Sequence, residues 1–237
     1  MDQYNAMLDS VKEKMTMYVA VSHDKNPVAQ RLSKLNEQQL DFVVGQYCIF
    51  PRTIVSMLGT ARDSLAASMP AVSVELERNI GEETGTETDG KTHYEILTKA
   101  IDDTLGLKIK QTMPTKSTKA FVSGMRSALA DGNAEYIFGA VYALETTAIP
   151  ELEIVRKVVE KGASLKEKVL TEQMRDFFDM HINDFEIGHQ EGLRDAGRDY
   201  IDMTKPSAKT DCIRGFEQVM KTMDEWWTSL AHEADAR

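Results

Sequence analysis

NAEYIFGAVYALETTAIPELEIVRKVV (residues 133–159) is apolar at helical steps, and acids interrupt it in only a few places. Phe138, Val141, Leu144, Ile149 and Val155 fall on one face of a helix, and Asn133 stands where an N-cap is expected. Glu145 lies inside that apolar run, and Pro150 should kink the helix just beyond it. An unpaired ionised glutamate in a helical interior costs several kcal/mol, so Glu145 demands a partner such as an ion or an arginine.

Outward from this segment, nearly all of the chain carries the same periodicity. Met7, Val11, Met15, Tyr18 and Val21 predict a first helix ending near His23. Asn36 with Gln39 resembles a capping box for a helix through Leu40, Val43, Val44 and Tyr47, which Pro51 interrupts before the pattern resumes at Ile54. A helix runs from Pro70 to Glu82-Glu83 with Gly85 as its stop. A polar loop follows, and the next helix opens close to His93. Ser117 can cap a helix through Phe121, Met125 and Leu129, another is expected from about Ser164, and the last follows Pro206. No strand-like alternation or repeat stands out. The expectation is an all-α bundle of about 7–9 helices forming a single domain over 1–237, with its chemistry between about 75 and 195.

Composition narrows the function. The chain has 237 residues, 38 Asp+Glu against 28 Lys+Arg, and a net charge of −10, which argues against a nucleic acid or an anionic membrane as partner. No stretch reads as the 18 apolar residues of a membrane span, and no secretory leader opens the sequence, so a cytoplasmic location is expected. Cys48 and Cys212 are too few for a disulfide framework and read as reduced thiols.

A second stretch, FFDMHINDFEIGH at 177–189, gathers His181, Asp184, Glu186 and His189. Glu186 and His189 are three apart and share a helix face, as two ligands of one metal would. His181 stands five before Glu186, about 140° away on a regular helix, and a π-bulge would bring it back. Glu82, His93, Glu145, His181, Glu186 and His189 make three carboxylates and three histidines on facing helices, a set that suits two iron ions with positions open for dioxygen.

Four segments carry a family resemblance: QYCIFP at 46–51, NIGEETG at 79–85 leading to His93, VYALETTAIP at 141–150 and HINDFEIGH at 181–189. In order and approximate spacing they resemble the heme-oxygenase-like di-metal oxidases, and within them the CADD-like proteins, over about residues 26–200. The resemblance implies a heme-oxygenase/TenA/PqqC-like fold with metal ligands at Glu82, His93, Glu145, His181, Glu186 and His189. The link from Glu82 to His93 is about four residues longer than in that pattern, which leaves Glu83, Glu87 and Asp89 as rival first ligands. The extra residue before Glu186 makes Asp184 a rival there. Tyr47 and Tyr142 match aromatic positions where tyrosine can be consumed; as ordinary core residues they need only a hydroxyl partner.

The implied function is a non-heme oxidase or oxygenase holding two irons, or a manganese–iron pair, with O2 as co-substrate and a small organic molecule oxidised, desaturated or cleaved. A homodimer is common in the related fold. The rivals are a metal-free acid–base enzyme of the TenA/PqqC kind and a non-enzymatic protein-interaction module.

Overall fold

Residues 134–159 lie within the longest helix of the fold, with Asn133 as its N-cap. A computed structural model describes residues 2–237, and among them there are helices and turns but no strand. The chain forms α1 (Gln3–Met15), α2 (Glu37–Tyr47), α3 (Pro51–Leu65), α4 (Pro70–Glu83) and α5 (His93–Leu105). It continues through α6 (Lys116–Leu129), α7 (Ala134–Leu165), α8 (Glu172–Met180), α9 (Glu186–Gly197) and α10 (Pro206–Asp235). With α2 and α3 nearly continuous and α8 and α9 joined through a π turn, these segments amount to eight helices, in agreement with the expected all-α class.

Helix α7 is buried along much of its length, and α10 packs beside it. The two backbones approach so closely that a Cβ on Gly139 would lie 1.8 Å from the Cys212 carbonyl oxygen, and one on Gly215 would lie 1.9 Å from that of Tyr136. Only glycine fits at both positions, so the axis of the bundle is set by two absent side chains. Helices α2, α3 and α9 pack on other faces of α7, while α4 runs between α3 and α9. One apolar core links them.

Local signals explain most helix ends. Asn36 and Gln39 form the expected capping box. Pro51, Pro70 and Pro206 each open a helix, where the missing N–H costs nothing. Gly85 takes φ +104° just after α4, a conformation that side chains disfavour. Four expectations are corrected. Helix α1 ends at Met15, because Tyr18 and Val21 continue its apolar pattern from turns. Thr115, and not Ser117, caps α6, accepting a bond from the Thr118 amide. The helix expected from Ser164 begins at Glu172 behind Thr171, since α7 itself runs on to Leu165. Glu37–Leu65, contrary to the sequence expectation, is long and apolar enough to cross a membrane; just over half of that apolar window is buried in the bundle. Helix α7 continues through Pro150 without a break.

Candidate metal centre

Four segments converge on one side of α7: the end of α4, the start of α5, the middle of α7 and the α8–α9 junction. That junction is a π turn over His181–Phe185, so the extra residue between His181 and Glu186 is absorbed as the spacing required. His181, Glu186 and His189 are buried, whereas Asn183, Asp184, Ile187 and Gly188 are exposed.

Two groups of donors result. Glu83, His93 and His181 form one; Glu145, Glu186 and His189 form the other. Within each, the donor atoms lie within 4.8 Å of one another. In the first, His181 donates from Nδ1 to the Phe177 carbonyl oxygen at 2.7 Å, which leaves Nε2 unprotonated and aimed inward. His93 Nδ1 lies 3.2 Å from that nitrogen and 3.2 Å from Glu83 Oε1. Phe177 packs against His181 with ring centres 4.0 Å apart and planes tilted by 33°, and Phe185 covers His93 at 5.1 Å. In the second, His189 Nδ1 lies 3.2 Å from Glu145 Oε2 and 3.7 Å from Glu186 Oε2. Its far nitrogen, Nε2, donates to Glu82 Oε2 at 2.7 Å.

The protonation preferences follow from this packing. Burial favours neutral His189, but Glu145, Glu186 and Glu82 together outweigh it and hold its proton on firmly. Burial pushes the Glu186 carboxyl up to about 7 against the pull of His189. Burial and the neighbouring His93 push His181 down to about 4, keeping its inward nitrogen a lone-pair donor at neutral pH. Burial would raise Glu83, yet its bond to His93 and the nearby His181 and His189 bring it below the usual carboxylate range.

The donor set fits two divalent cations. Three carboxylates around two dications leave one net positive charge, nitrogen and carboxylate oxygen suit iron or manganese, and two of the three imidazoles, His181 and His189, are held from behind. In the protein alone, a proton on His189 supplies the positive charge that its three carboxylates require.

The expected residues fall unevenly. His93, Glu145, His181, Glu186 and His189 all join the two groups. Glu82 does not; Glu83 takes the place expected of it, while Glu82 braces His189 from outside and pairs with Arg78. Asp89 sits exposed at φ 53° in the α4–α5 loop, and Asp184 is exposed, so neither faces the centre. Tyr47 lines the adjoining cavity against the Trp226 and Trp227 rings, 6.4 and 6.3 Å away. Tyr142 is buried between Phe138 and Phe216 and does not line it. Cys48 and Cys212 are buried free thiols.

That cavity, about 80 Å³, is walled mainly by apolar side chains, with Glu83, His93, Glu145, His181 and Glu186 along one side. Sequence reasoning missed a further carboxylate in its wall, Glu151. The signal was there: Glu151 stands seven after Leu144 and four before Val155, on the buried face of α7.

The fold and the converging donors define a CADD-like protein of heme-oxygenase-like architecture. By sequence the chain belongs to the family described as "Domain of Unknown Function with solved-structure structure" (DUF3865), matched over residues 5–233. It is similar to a CADD-like protein of unknown function from Nostoc punctiforme PCC 73102, at 34% identity and TM-score 0.90 over 98% of both chains. A domain of unknown function with a heme oxygenase-like fold from Shewanella denitrificans OS217 aligns at 12% identity and TM-score 0.69, over 99% of this chain and 94% of that one. A TenA homolog from Pseudomonas syringae pv. tomato DC3000 aligns at 13% and 0.66, over 97% and 91%. These two show the fold alone. Among curated proteins no sequence matches.

Proposed function

We propose that this protein is a non-heme di-metal oxidase that uses dioxygen to oxidise a small organic molecule in the cavity beside the two donor groups. The observation that supports it most directly is the pair of three-residue groups on neighbouring helices, buried except for a partly exposed Glu83, each presenting donor atoms within 4.8 Å of one another. When bound, two iron ions, or manganese and iron, supply the electrons that dioxygen activation needs.

The chain does the rest. Glu83, His93 and His181 hold one ion, and Glu145, Glu186 and His189 hold the other. The Phe177 carbonyl holds His181 with its inward nitrogen free, and Glu82 anchors the far nitrogen of His189, whose inward Nδ1 gives up its proton when a metal binds. The apolar wall formed by residues such as Phe50, Ile54, Leu58 and Leu152 excludes bulk water and orients the substrate. In the protein without metal, the Glu186 carboxyl sits near 7 at the cavity edge, where it can take up or give back a proton.

Anaerobic titration with ferrous iron followed by exposure to oxygen tests this. The expected result is two irons bound per chain and a transient visible absorption. Sub-stoichiometric binding with no optical change overturns it. The same Glu186 carboxyl favours a second reading, a metal-free acid–base enzyme; activity on an identified substrate that survives exhaustive chelation would establish that instead.

A further inference from the structure

Four carboxylates line the cavity, and Glu151 is the one that neither donor group uses. It is 1% exposed. Its Oε1 accepts the Trp227 indole N–H at 2.7 Å, and Trp227 is itself wedged between Trp226 and Tyr47, so the carboxyl is held in place. Among the described residues nothing donates to Oε2, and no lysine or arginine lines the cavity. Burial pushes the carboxyl up to about 8, with the Trp227 bond alone opposing it.

A buried carboxylate without a cation is unfavourable, and a buried ion pair is tolerated only when both partners are fixed. Here one partner is fixed and the other is missing from the protein. The cavity walls are otherwise greasy, with Phe50, Ile54, Leu58 and Leu152 among them. A carboxylic-acid substrate would meet four acids and, at Glu151, no lysine or arginine to pair with. An alcohol would gain a neutral hydrogen bond. An ammonium group would gain the charged one and shed the Glu151 proton to solvent.

We propose that Glu151 binds the ammonium group of a small, otherwise apolar primary amine, whose hydrocarbon part lies along the apolar wall beside the two donor groups. That this amine is the molecule oxidised rests on the di-metal reading above; that it binds at Glu151 does not.

Calorimetric titration of the full-length protein with n-pentylamine, 1-pentanol and pentanoate tests it, with Mn(II) added and again with chelator. Pentylamine is expected to bind at least about tenfold more tightly than pentanol, as a charge-assisted hydrogen bond allows. Glu151→Gln keeps an oxygen for Trp227 and should abolish that preference while leaving pentanol affinity within about twofold, which also reports an intact cavity. No amine preference in the wild-type protein, an unchanged preference in E151Q, or tightest binding by pentanoate overturns the proposal. Should E151Q lose pentanol as well, Glu151→Asp decides: a retained amine preference supports it, a lost one overturns it. Manganese stoichiometry in the same samples separates the two readings. A Glu151-dependent amine preference without stoichiometric metal keeps the subsite and removes the oxidase; two metals per chain without amine preference does the reverse.

Discussion

Glu82 and Glu83 are adjacent in sequence but about 100° apart on α4, so they meet different partners. Glu83 faces His93 and His181; Glu82 faces the back of His189 and is tied to Arg78. The two substitutions therefore have different expected outcomes. Glu83→Gln removes a donor, and bound Mn(II) should fall from two ions per chain to one. Glu82→Gln should leave two ions but weaken binding about 10- to 100-fold, the usual consequence of losing the carboxylate behind a ligating histidine. Equilibrium dialysis with metal analysis distinguishes them, and reversed stoichiometries would make Glu82 the ligand after all. Glu151 makes its own prediction in the metal-free protein. Its carboxyl sits near 8 folded and near 4.5 unfolded, so between those values the folded state holds a proton that the unfolded state has lost, and stability falls as pH rises through that window. Each unit corresponds to about 1.4 kcal/mol, so E151Q, which lacks the effect, should gain a few kcal/mol on the wild type between pH 5 and 8 in denaturant titrations.

At the scale of elements, the π turn decides whether His181 faces the centre. Deleting Asn183, which is exposed, shortens the His181–Glu186 spacing to four residues, and a regular helix then places them about 40° apart, still on one face. Deleting Gly188, equally exposed, brings Glu186 and His189 to a spacing of two and turns them about 160° apart. The first variant should keep two-metal binding and the second should lose it, as metal analysis of both purified proteins would reveal. This turn was legible in the sequence because three buried donors at spacings of five and three have few ways to share a face. Helix ends written in side-chain chemistry were legible too, such as the Asn36–Gln39 box. What escaped depends on tertiary packing. Tyr18 and Val21 satisfy helical periodicity from turns, because apolar spacing reports burial and not backbone. The choice between Glu82 and Glu83 turns on which side of the final turn of α4 meets α9 and which meets α5, and no local pattern records that.

For the molecule as a whole, the six inward donors come from positions 83 to 189 and from segments that meet only in the folded state. Metal affinity is then also folding stability, since the unfolded chain cannot gather these groups. At a free Mn(II) concentration about 100 times the dissociation constant, one site adds about 2.7 kcal/mol, which in a chain of this length raises Tm by about 5–10 °C. The gain should be reversed by chelator and should fall by about half in Glu145→Gln, where the His189 group loses its most deeply set carboxylate while the Glu83, His93 and His181 group stays intact. It should also depend on pH in one direction. His189 holds its proton between Glu145, Glu186 and Glu82, and a metal must displace that proton from Nδ1 to bind. Uptake therefore releases a proton, and the metal-induced rise in Tm should grow as the buffer is made more alkaline. A rise that is independent of pH, or larger in acid, would mean that the cation binds elsewhere on this strongly acidic surface.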